Sequence, residues 1–462
     1  MRATEVRTCE IAPDKLPEGA VLHDFLTWQV QELKIDVRVI DIKRARYRLP
    51  DGSYIIASAP REFAGSHFGP ELRAYIVNLS QNGRMTQNKI FEHIQGLGIQ
   101  ISEGQIDNIL SNATDELEHE YNEVHEAALK TAQFIQSDMT GGRHKGKNVH
   151  ALVLNNAHFT IFVTLDSKSR ITLFKALQGA RPGYLFNEAS IDYINFKVKA
   201  GTKELKNTLL LAKMCMGISC ATQAEWYAAL EERRVVRISR AKSLLKNLEE
   251  AALMGHLVEG MLSKNLVLVS DGAPEFAFLL LYQLCWIHAV RIFEKLIASS
   301  PAETQELDLF LDDVWSFYRA CKSYCNQHRD QQSLESKQDL IAQFDQIFKY
   351  RTIKWQLLKK TTDHFYKNKD KLLLALALPF VPLHNNASEN DIRTVVIRRK
   401  ISGGTRSDKG RKSCDVFASL YKTCKKQKIS FWDFLKDRFT RTHQISYLPD
   451  LIRAQAPAPP VF

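Results

Sequence analysis

Two aspartates stand where a folded chain could hold a metal ion. Asp271 closes the apolar run Leu266–Val269, and Asp138 follows the apolar run 133–135. Continuous apolar runs indicate strands buried on both faces, which usually lie in the centre of a sheet. Two central strands that each end in Asp would bring two carboxylates together, and like charges repel unless a cation lies between them. The pair therefore predicts a metal site.

A third carboxylate is offered by the segment "PLHNNASENDIR". Pro382 ends the preceding helix, "NNAS" opens the next, and Asn385, Glu389 and Arg393 then share one helix face. The alternative role of Glu389 is an exposed ion pair with Arg393, worth about 0.3–0.5 kcal/mol. Carboxylate oxygens suit hard divalent cations, so we expect Mg²⁺, with Mn²⁺ as the alternative ion. The expected catalytic and metal-binding residues are Asp138, Asp271 and Glu389.

Positive charge is concentrated directly after Glu389. Residues 391–430 contain twelve Lys or Arg against three Asp, in a chain whose formal net charge is +11. This distribution predicts a surface that meets a polyanion, and the alternative is a solvated helix face. A hairpin after Asp138 adds further cations, unless it is only a flexible turn. The candidate contacts are Arg143, Lys145, Lys147, His288, Arg291, Arg393, Arg398, Arg399, Lys400, Arg406 and Lys409.

The elements that would position these residues can be predicted from periodicity and turn signals. Apolar runs at 133–135, 149–154 and 159–165, separated by "GGRHKGKN" and "NNAH", predict three consecutive antiparallel strands, with Asp138 at the end of the first. Between residues 68 and 112 the pattern is helical. Ser102 and Gln105 form a capping box, so a second short helix after "GLGIQI" would be the reader of a helix-turn-helix. An ordinary helical hairpin is the alternative.

Two further stretches require an interpretation. The acidic segment "TDELEHEYNEVHEAALK" predicts a connecting helix with Leu117, Tyr121, Val124 and Ala128 on one face. In "LCWIH", Cys285 and His288 share a helix face, but no second pair of zinc ligands lies nearby in the sequence. We therefore favour packing for Cys285 and a core position for Trp286. His288 could approach phosphate or the carboxylates.

Composition limits the class of protein. The 462 residues are 45% hydrophobic and 25% charged, which is ordinary for a globular chain with about two to four units. No apolar run is long enough to span a membrane, and the N-terminus lacks the apolar core of a signal peptide. Eight scattered cysteines predict reduced thiols. We expect a cytoplasmic protein.

Several long motifs resemble a known family. "SDMTGGRHKGKN", "VSDGAPEF", "LCWIHAVRIFEKL" and "PLHNNASENDIR…RRKISGGTRSDKGRKSCDVF" are similar to blocks of bacterial insertion-sequence transposases of the sixty-six class, from about residue 66 to 440. The resemblance implies an RNase H-like core with a DDE triad, matched by Asp138, Asp271 and Glu389. It also implies double-stranded DNA as ligand (transposon ends and target), a homo-oligomeric synaptic complex, accessory transposition proteins, and association with the bacterial nucleoid. One departure is that Cys9 is the only cysteine before Cys215, so the paired CxxC zinc motifs common at the N-terminus in this class are absent.

These inferences define an expected organisation and function. We expect an α/β (α+β) fold: an RNase H-like mixed-sheet core, a large helical insertion and an N-terminal helical region like a helix-turn-helix. The expected units are a β-rich arm (1–66), a DNA-binding helical region with connector (67–130), the first part of the core with a helical segment at about 200–262 (131–300), the insertion (301–380), the end of the core (381–440) and a tail (441–462). The expected reaction is metal-dependent DNA cleavage and strand transfer. The alternatives are an RNase H-like nuclease without strand transfer and a transposase-derived DNA-binding protein.

Overall fold

The computed structural model describes residues 3–63, 66–238, 241–263, 265–279, 281–327 and 332–456. Its strands are β1 Arg46–Arg48, β2 Tyr54–Ile56, β3 Phe134–His144, β4 Lys147–Asn155, β5 Thr160–Leu165, β6 Tyr184–Leu185, β7 Ser219–Cys220, β8 Val267–Ser270 and β9 Tyr282–Leu284. Five of them form a mixed sheet in the order β5-β4-β3-β8-β9. β4 is antiparallel to both of its neighbours, whereas β8 is parallel to β3 and to β9.

Helices make up most of the remaining chain. Before β8 they are α1 Pro70–Gln81, α2 Gln87–Gly96, α3 Glu103–Thr131, α4 Arg170–Gln178, α5 Glu188–Lys197, α6 Lys203–Cys215, α7 Gln223–Glu232, α8 Val235–Ile238 and α9 Lys242–Gly260. After β9 they are α10 Trp286–Glu294, α11 Pro301–Asn326, α12 Leu334–Asp345, α13 Gln356–Tyr366, α14 Lys369–Leu372, α15 Leu374–Ala377, α16 Asn386–Ser402, α17 Asp408–Lys426, α18 Phe431–Thr440 and α19 Leu448–Ala454. The expected α+β class with a large helical part is confirmed. No helix among the described residues has the length and apolarity needed to cross a membrane.

The first three strands of the sheet follow the prediction except at one point. β3, β4 and β5 are consecutive and antiparallel, and the β3–β4 turn at Lys145 and Gly146 has positive φ at both residues, as a two-residue hairpin turn requires. However, β3 continues to His144, so the prediction that Asp138 ends its strand was wrong. The reason is that β4 pairs with β3 as far as this turn.

The sheet is covered on both faces, which explains the apolar runs. Ile135 and Leu268 face a large core that includes α3 and α9. Val267 and Val269 face a second core formed with α10 and the helices α11–α15, and Phe134 packs against it. Side chains therefore alternate between two buried faces along β3 and β8, as expected for central strands.

The predicted capping box at the start of α3 is present. Ser102 accepts a hydrogen bond from the Gln105 N–H, and the Gln105 side chain accepts one from the Ser102 N–H. The helix does not stop at residue 112, but continues through the expected connector to Thr131. Leu117, Val124 and Ala128 are buried on it, as the periodicity predicted. The reader segment and the connector are thus one continuous helix.

The helices between β9 and α16 are held together by aromatic side chains. Trp286 is fully buried and donates a hydrogen bond from Nε1 to the Leu372 carbonyl at 2.8 Å. Its ring packs against aromatic residues from α11, α12, α13 and the short π-helix Gln346–Tyr350 that follows α12. These residues are Phe317, Tyr318, Phe344, Phe348 and Phe365. Trp286 thus joins the insertion to the sheet, and its predicted core position is confirmed.

The N-terminal part of the chain contains little regular structure. Over the described residues 3–63, the only strands are β1 and β2, which form an exposed hairpin. The β-like segment 34–43 forms no strand, although its sequence alternates as a strand would. A strand needs a hydrogen-bonding partner, and no part of the described chain provides one to this segment.

Candidate active site

Asp138 and Asp271 occupy matching positions on neighbouring parallel strands. Phe134 pairs with Val267 and Gln136 with Val269, so the same register two residues later places Asp138 beside Asp271. Side chains two residues apart in a strand point to the same face. Both carboxylates therefore lie on the same face of the sheet as Val267 and Val269, at the point where β8 ends. Although Asp138 lies inside β3, it lies just beyond the part of β3 that pairs with β8.

The electrostatics of Asp138 indicate that acidic groups meet here. Burial raises the pKa of Asp138 above its ordinary value, and the negative charges of Asp271 and Glu389 raise it further. The Met139 N–H, which donates to Asp138 Oδ1 at 2.7 Å, and the nearby His288 act in the opposite direction. A carboxylate whose charge is penalised by burial and by two other acids is suited to bind a cation.

Glu389 is brought to this face by α16, which packs against β3 and β4. The segment before α16 is tied to the sheet and to α10 by hydrogen bonds. Asn385 Nδ2 donates to the Ser137 carbonyl at 2.8 Å, and the Asn385 N–H donates to Cys285 Sγ at 3.2 Å. Because Ser137 directly precedes Asp138, Asn385 fixes the first turn of α16 next to that aspartate. The helical spacing predicts that Asn385 shares a face with Glu389, but it gives no sign of this positioning role.

The ionic neighbour of Glu389 is His288 and not Arg393. His288 Nδ1 lies 3.6 Å from Glu389 Oε1, and both atoms are buried without a hydrogen-bond partner. Arg393 is exposed and makes no ion pair with Glu389 among the described contacts. The alternative of a simple surface ion pair for Glu389 is therefore not supported by the geometry.

The carboxylates suit a hard divalent cation in their chemistry. They offer only oxygen ligands, and Glu389 Oε1 is buried with no hydrogen bond to satisfy it. Among the side chains that the structure describes, however, no three His, Cys, Asp or Glu lie close enough to hold a single ion. A single ion held by all three carboxylates would therefore require them to draw closer together.

Cys285 has a structural environment. It is fully buried, its sulfur accepts the Asn385 N–H, and burial raises the pKa of its thiol. A buried, protonated thiol is a poor metal ligand. This geometry supports the interpretation of Cys285 as a packing residue.

A buried polar network holds α16 against β4, β5 and α17. Asp391 is 7% exposed and accepts hydrogen bonds from Asn155, Thr160 and Lys426, while Ser388 donates to Asn155. Burial alone would raise the pKa of Asp391, but the Lys426 ammonium and these hydrogen bonds hold it below its ordinary value. In the sequence, Asp391 is recognisable only as one of three acids in a basic stretch. Nothing in the sequence identifies its partners, which lie on other elements of the chain.

The hairpin after Asp138 is docked and is not a flexible turn. The Lys145 N–H donates to the Thr405 carbonyl at 2.9 Å, and the Thr405 N–H donates to the Arg143 carbonyl at 3.0 Å. Lys145 also pairs with Asp408 at 2.6 Å. A Cβ atom at Gly404 would lie 2.4 Å from the Arg143 carbonyl, so only glycine permits this approach. The hairpin cations and the loop after α16 therefore form one surface.

Two cations of the basic segment face acidic residues of α3. Lys412 pairs with Glu118, and Lys409 Nζ lies 3.9 Å from Asp115. Arg438, just beyond the basic segment, pairs with the buried Glu120. The acidic helix thus neutralises part of α17 and α18 within the molecule. In addition, the first Lys or Arg of α3 is Lys130, so its expected reader segment presents no positive charge.

Some of the remaining candidate DNA contacts already make hydrogen bonds within the molecule, whereas others are exposed. Arg398 donates to Gln81 and Ser80 of α1, and Arg399 donates to the Gly141 carbonyl. Arg291 is half-buried. The exposed candidates without an ion pair in the described structure are Arg143, Lys147, Arg393, Lys400 and Arg406.

Comparisons with known proteins identify the family of this chain. Residues 267–413 match the family described as "Transposase IS66 family", a range that contains Asp271 and Glu389. The chain is also 34% identical over 343 residues to "Uncharacterized protein y4jO" of Sinorhizobium fredii (strain NBRC 101917 / NGR234), an alignment covering 71% of this chain and 99% of the relative. The matched domain is that of a transposase, which implies interaction with DNA. The chain belongs to the IS66 family of transposases.

Proposed function

We propose that this protein is a DDE-type transposase that catalyses divalent-metal-dependent DNA cleavage and strand transfer. The observation that carries the proposal is the register of β3 and β8, which places Asp138 beside Asp271 on the face that α16 covers with Glu389. Family membership supports a transposase, and the acidic site supplies a chemistry for it. The reaction would be hydrolysis at a transposon end, followed by attack of the freed 3′-hydroxyl on target DNA.

Each acidic residue has a defined part in this proposal. Asp138 and Asp271 would hold the metal ions, and Glu389 would complete the ligand set. When bound, Mg²⁺ or Mn²⁺ ions activate a water or a 3′-hydroxyl and stabilise charge on the leaving oxygen. The chain itself contributes no covalent nucleophile. Asn385 and the Asp391 network would keep Glu389 above the two aspartates.

The sheet supports an RNase H-like core. Three consecutive antiparallel strands are followed, after a helical segment, by two strands parallel to the first. Asp138 lies in β3 and Asp271 directly follows β8, and these two strands are neighbours in the sheet. The long helical stretch α11–α15 then separates β9 from the helix that carries Glu389. This arrangement agrees with the interrupted catalytic core that the sequence motifs imply.

The DNA-contacting surface we propose is smaller than the basic segment. It consists of the exposed cations without ion pairs on the docked hairpin, α16 and the following loop: Arg143, Lys147, Arg393, Lys400 and Arg406. These residues lie on the elements that carry Asp138 and Glu389 or directly adjoin them. Phosphates held there would be near the acidic site.

The proposal is tested by cleavage and joining of labelled DNA that carries the ends of the element, with Mg²⁺ present. We expect Asp138→Ala, Asp271→Ala and Glu389→Gln each to abolish both reactions while DNA binding stays nearly intact. Glu275→Gln is the matched control, because Glu275 follows Asp271 closely in the chain but is not among the charges that act on Asp138. Full activity in any of the three variants would remove that residue from the triad. Cleavage without joining of paired ends would leave a nuclease instead of a transposase.

A further inference from the structure

Apolar surface is concentrated at the N-terminus of the molecule. Residues 3–48 are exposed without exception. Of the exposed large hydrophobic residues in the described chain, nineteen lie before residue 57 and twelve after it. Trp28 is 78% exposed, Ile35 50% and Val39 92%. Exposed apolar residues concentrated in one part of a protein are a feature of interaction sites.

The segment 28–42, here called the N-terminal arm, also has unpaired backbone groups. It contains no helix or strand, and none of its N–H or carbonyl groups is hydrogen-bonded to another backbone group within the described residues. The neighbouring β1–β2 hairpin is exposed on both strands and pairs only with itself. The arm can therefore accept a strand partner, and the described part of its own chain supplies none.

The sequence of the arm alternates as a strand does. Leu33, Ile35, Val37 and Val39 fall on one side, with Lys34, Asp36 and Arg38 on the other. At both ends the apolar residues change side, with Trp28 and Val30 before this stretch and Ile40 and Ile42 after it. The pattern is thus nearly symmetric about Ile35.

We propose that the N-terminal arm pairs antiparallel with the arm of a second copy of this chain, in a register centred on Ile35. In that register Lys34 lies opposite Asp36 of the second copy, and Glu32 lies opposite Arg38. Leu33 then faces Val37, Val30 faces Ile40, and Trp28 faces Ile42. Opposite charges and apolar residues directly across a pair of strands stabilise it.

Charge selects this register over its neighbours. A register centred on Asp36 places Asp36 against itself and Lys34 against Arg38. One centred on Lys34 places Lys34 against itself and Glu32 against Asp36. Like charges directly opposite destabilise an antiparallel pair, so both neighbouring registers are disfavoured. A two-fold axis through Ile35 is also the symmetry expected of a homodimer.

Charge reversal in the full-length chain tests the register, without DNA or divalent metal, by sedimentation equilibrium. The wild-type mass should approach twice 52.8 kDa with increasing concentration. Lys34→Asp and Asp36→Lys should each weaken dimerisation about tenfold or more, because each places like charges opposite at two symmetric positions. Mixing the two variants should restore a heterodimer, since each Asp then faces a Lys. Ile35→Asp should abolish association.

Asp41→Lys is the matched control, since Asp41 faces the neutral Gln29 in this register and should leave the dimer unchanged. A wild-type chain that stays monomeric at all concentrations would overturn the proposal, as would a mixture of the two variants that fails to associate. If instead the arm binds DNA, a separate DNA-retention assay should show stronger retention for Asp36→Lys and weaker retention for Lys34→Asp. Mixing the two variants should then have no effect, and the proposed arm pairing would be overturned. Because no cleavage is measured, this result is independent of the proposed catalytic function.

Discussion

Replacing Asp391 by asparagine tests whether the buried network holds the helix that carries Glu389. The Asp391 carboxylate accepts hydrogen bonds from Asn155 Nδ2 at 2.6 Å, Thr160 Oγ1 at 2.7 Å and Lys426 Nζ at 2.8 Å, and lies 3.2 Å from Lys422 Nζ. The substitution keeps the shape of the side chain but removes the charge that both lysines face. It therefore leaves a buried ammonium group without its counter-ion.

The expected loss can be estimated from these contacts. Removing one partner of a buried ion pair typically destabilises a protein by about 3–5 kcal/mol. Lys426 would still donate to the carbonyls of Asn156 at 2.7 Å and Phe159 at 2.9 Å, so part of its hydrogen bonding survives. We therefore expect a loss of about 3 kcal/mol, at the lower end of that range.

The loss should depend on pH in a defined direction. The folded-state pKa of Asp391 lies below its ordinary value, so ionised Asp391 contributes stability above the unfolded pKa. That contribution is lost as the pH falls through the folded pKa. The difference between the wild type and Asp391→Asn should thus be largest near neutral pH and shrink under acid conditions.

Urea denaturation and hydrogen–deuterium exchange provide the measurements. We expect a lower denaturation midpoint and faster exchange in residues 386–402, because Asp391 lies on that helix. Asp408→Asn is the matched control, since Asp408 lies in the same basic segment but its side chain is 70% exposed, and surface pairs contribute about 0–1 kcal/mol. Equal midpoints for the two variants at neutral pH would refute the reasoning.

Three further predictions concern the core, the charged surface and the acidic site. Trp286→Ala should cost about 3–5 kcal/mol in thermal or urea denaturation, because it empties the centre of the aromatic cluster, whereas Trp315→Ala, which is only partly buried, should cost less. Joint replacement of Arg393, Lys400 and Arg406 by Gln should lower the slope of log K against log salt for DNA binding by up to about 3, while Lys412→Gln, which faces Glu118, should leave it unchanged. Without divalent ions, Asp138→Asn should raise the thermal midpoint at neutral pH, because the raised folded-state pKa of Asp138 makes its ionised form destabilising. This gain in midpoint should fade as the pH falls through that pKa. A gain that persists in acid would contradict this cause.

The local parts of the fold were predictable from short stretches of sequence. The buried strand before Asp271, the hairpin at Lys145 and Gly146 and the Ser102 capping box each depend on neighbouring residues, and each was identified correctly. One error arose where strand pairing decided the outcome, and the other where a helix continued further than expected. β3 passes through Gly141 and Gly142 because β4 pairs with them, and α3 continues past residue 112 because no Gly or Pro interrupts it before Thr131.

The components of the candidate site could be named from sequence, but their partners could not. Asp138, Asp271 and Glu389 were chosen by their positions near strand and helix ends, and the structure brings all three to one face of the sheet. The ion pairs of the basic segment could not be predicted from charge alone, because the acids that pair with Lys409 and Lys412 lie far earlier in the chain, on α3. Long-range pairing of this kind leaves no periodic signal in a single sequence.

The ion pairs of Lys409 and Lys412 with α3 affect how a polyanion could approach the acidic site. Three carboxylates repel phosphate, so DNA needs nearby cations that are not already paired. α3 engages Lys409 and Lys412, whereas Arg143 on β3 and Arg393 and Lys400 on α16 are exposed without an ion pair in the described structure. These two elements carry Asp138 and Glu389. A uniformly basic α17 would instead attract DNA along its whole length. Pairing with α3 thus lowers the attraction at the start of α17 and leaves the unpaired cations of β3 and α16 beside the carboxylates, where the proposed chemistry requires the phosphate.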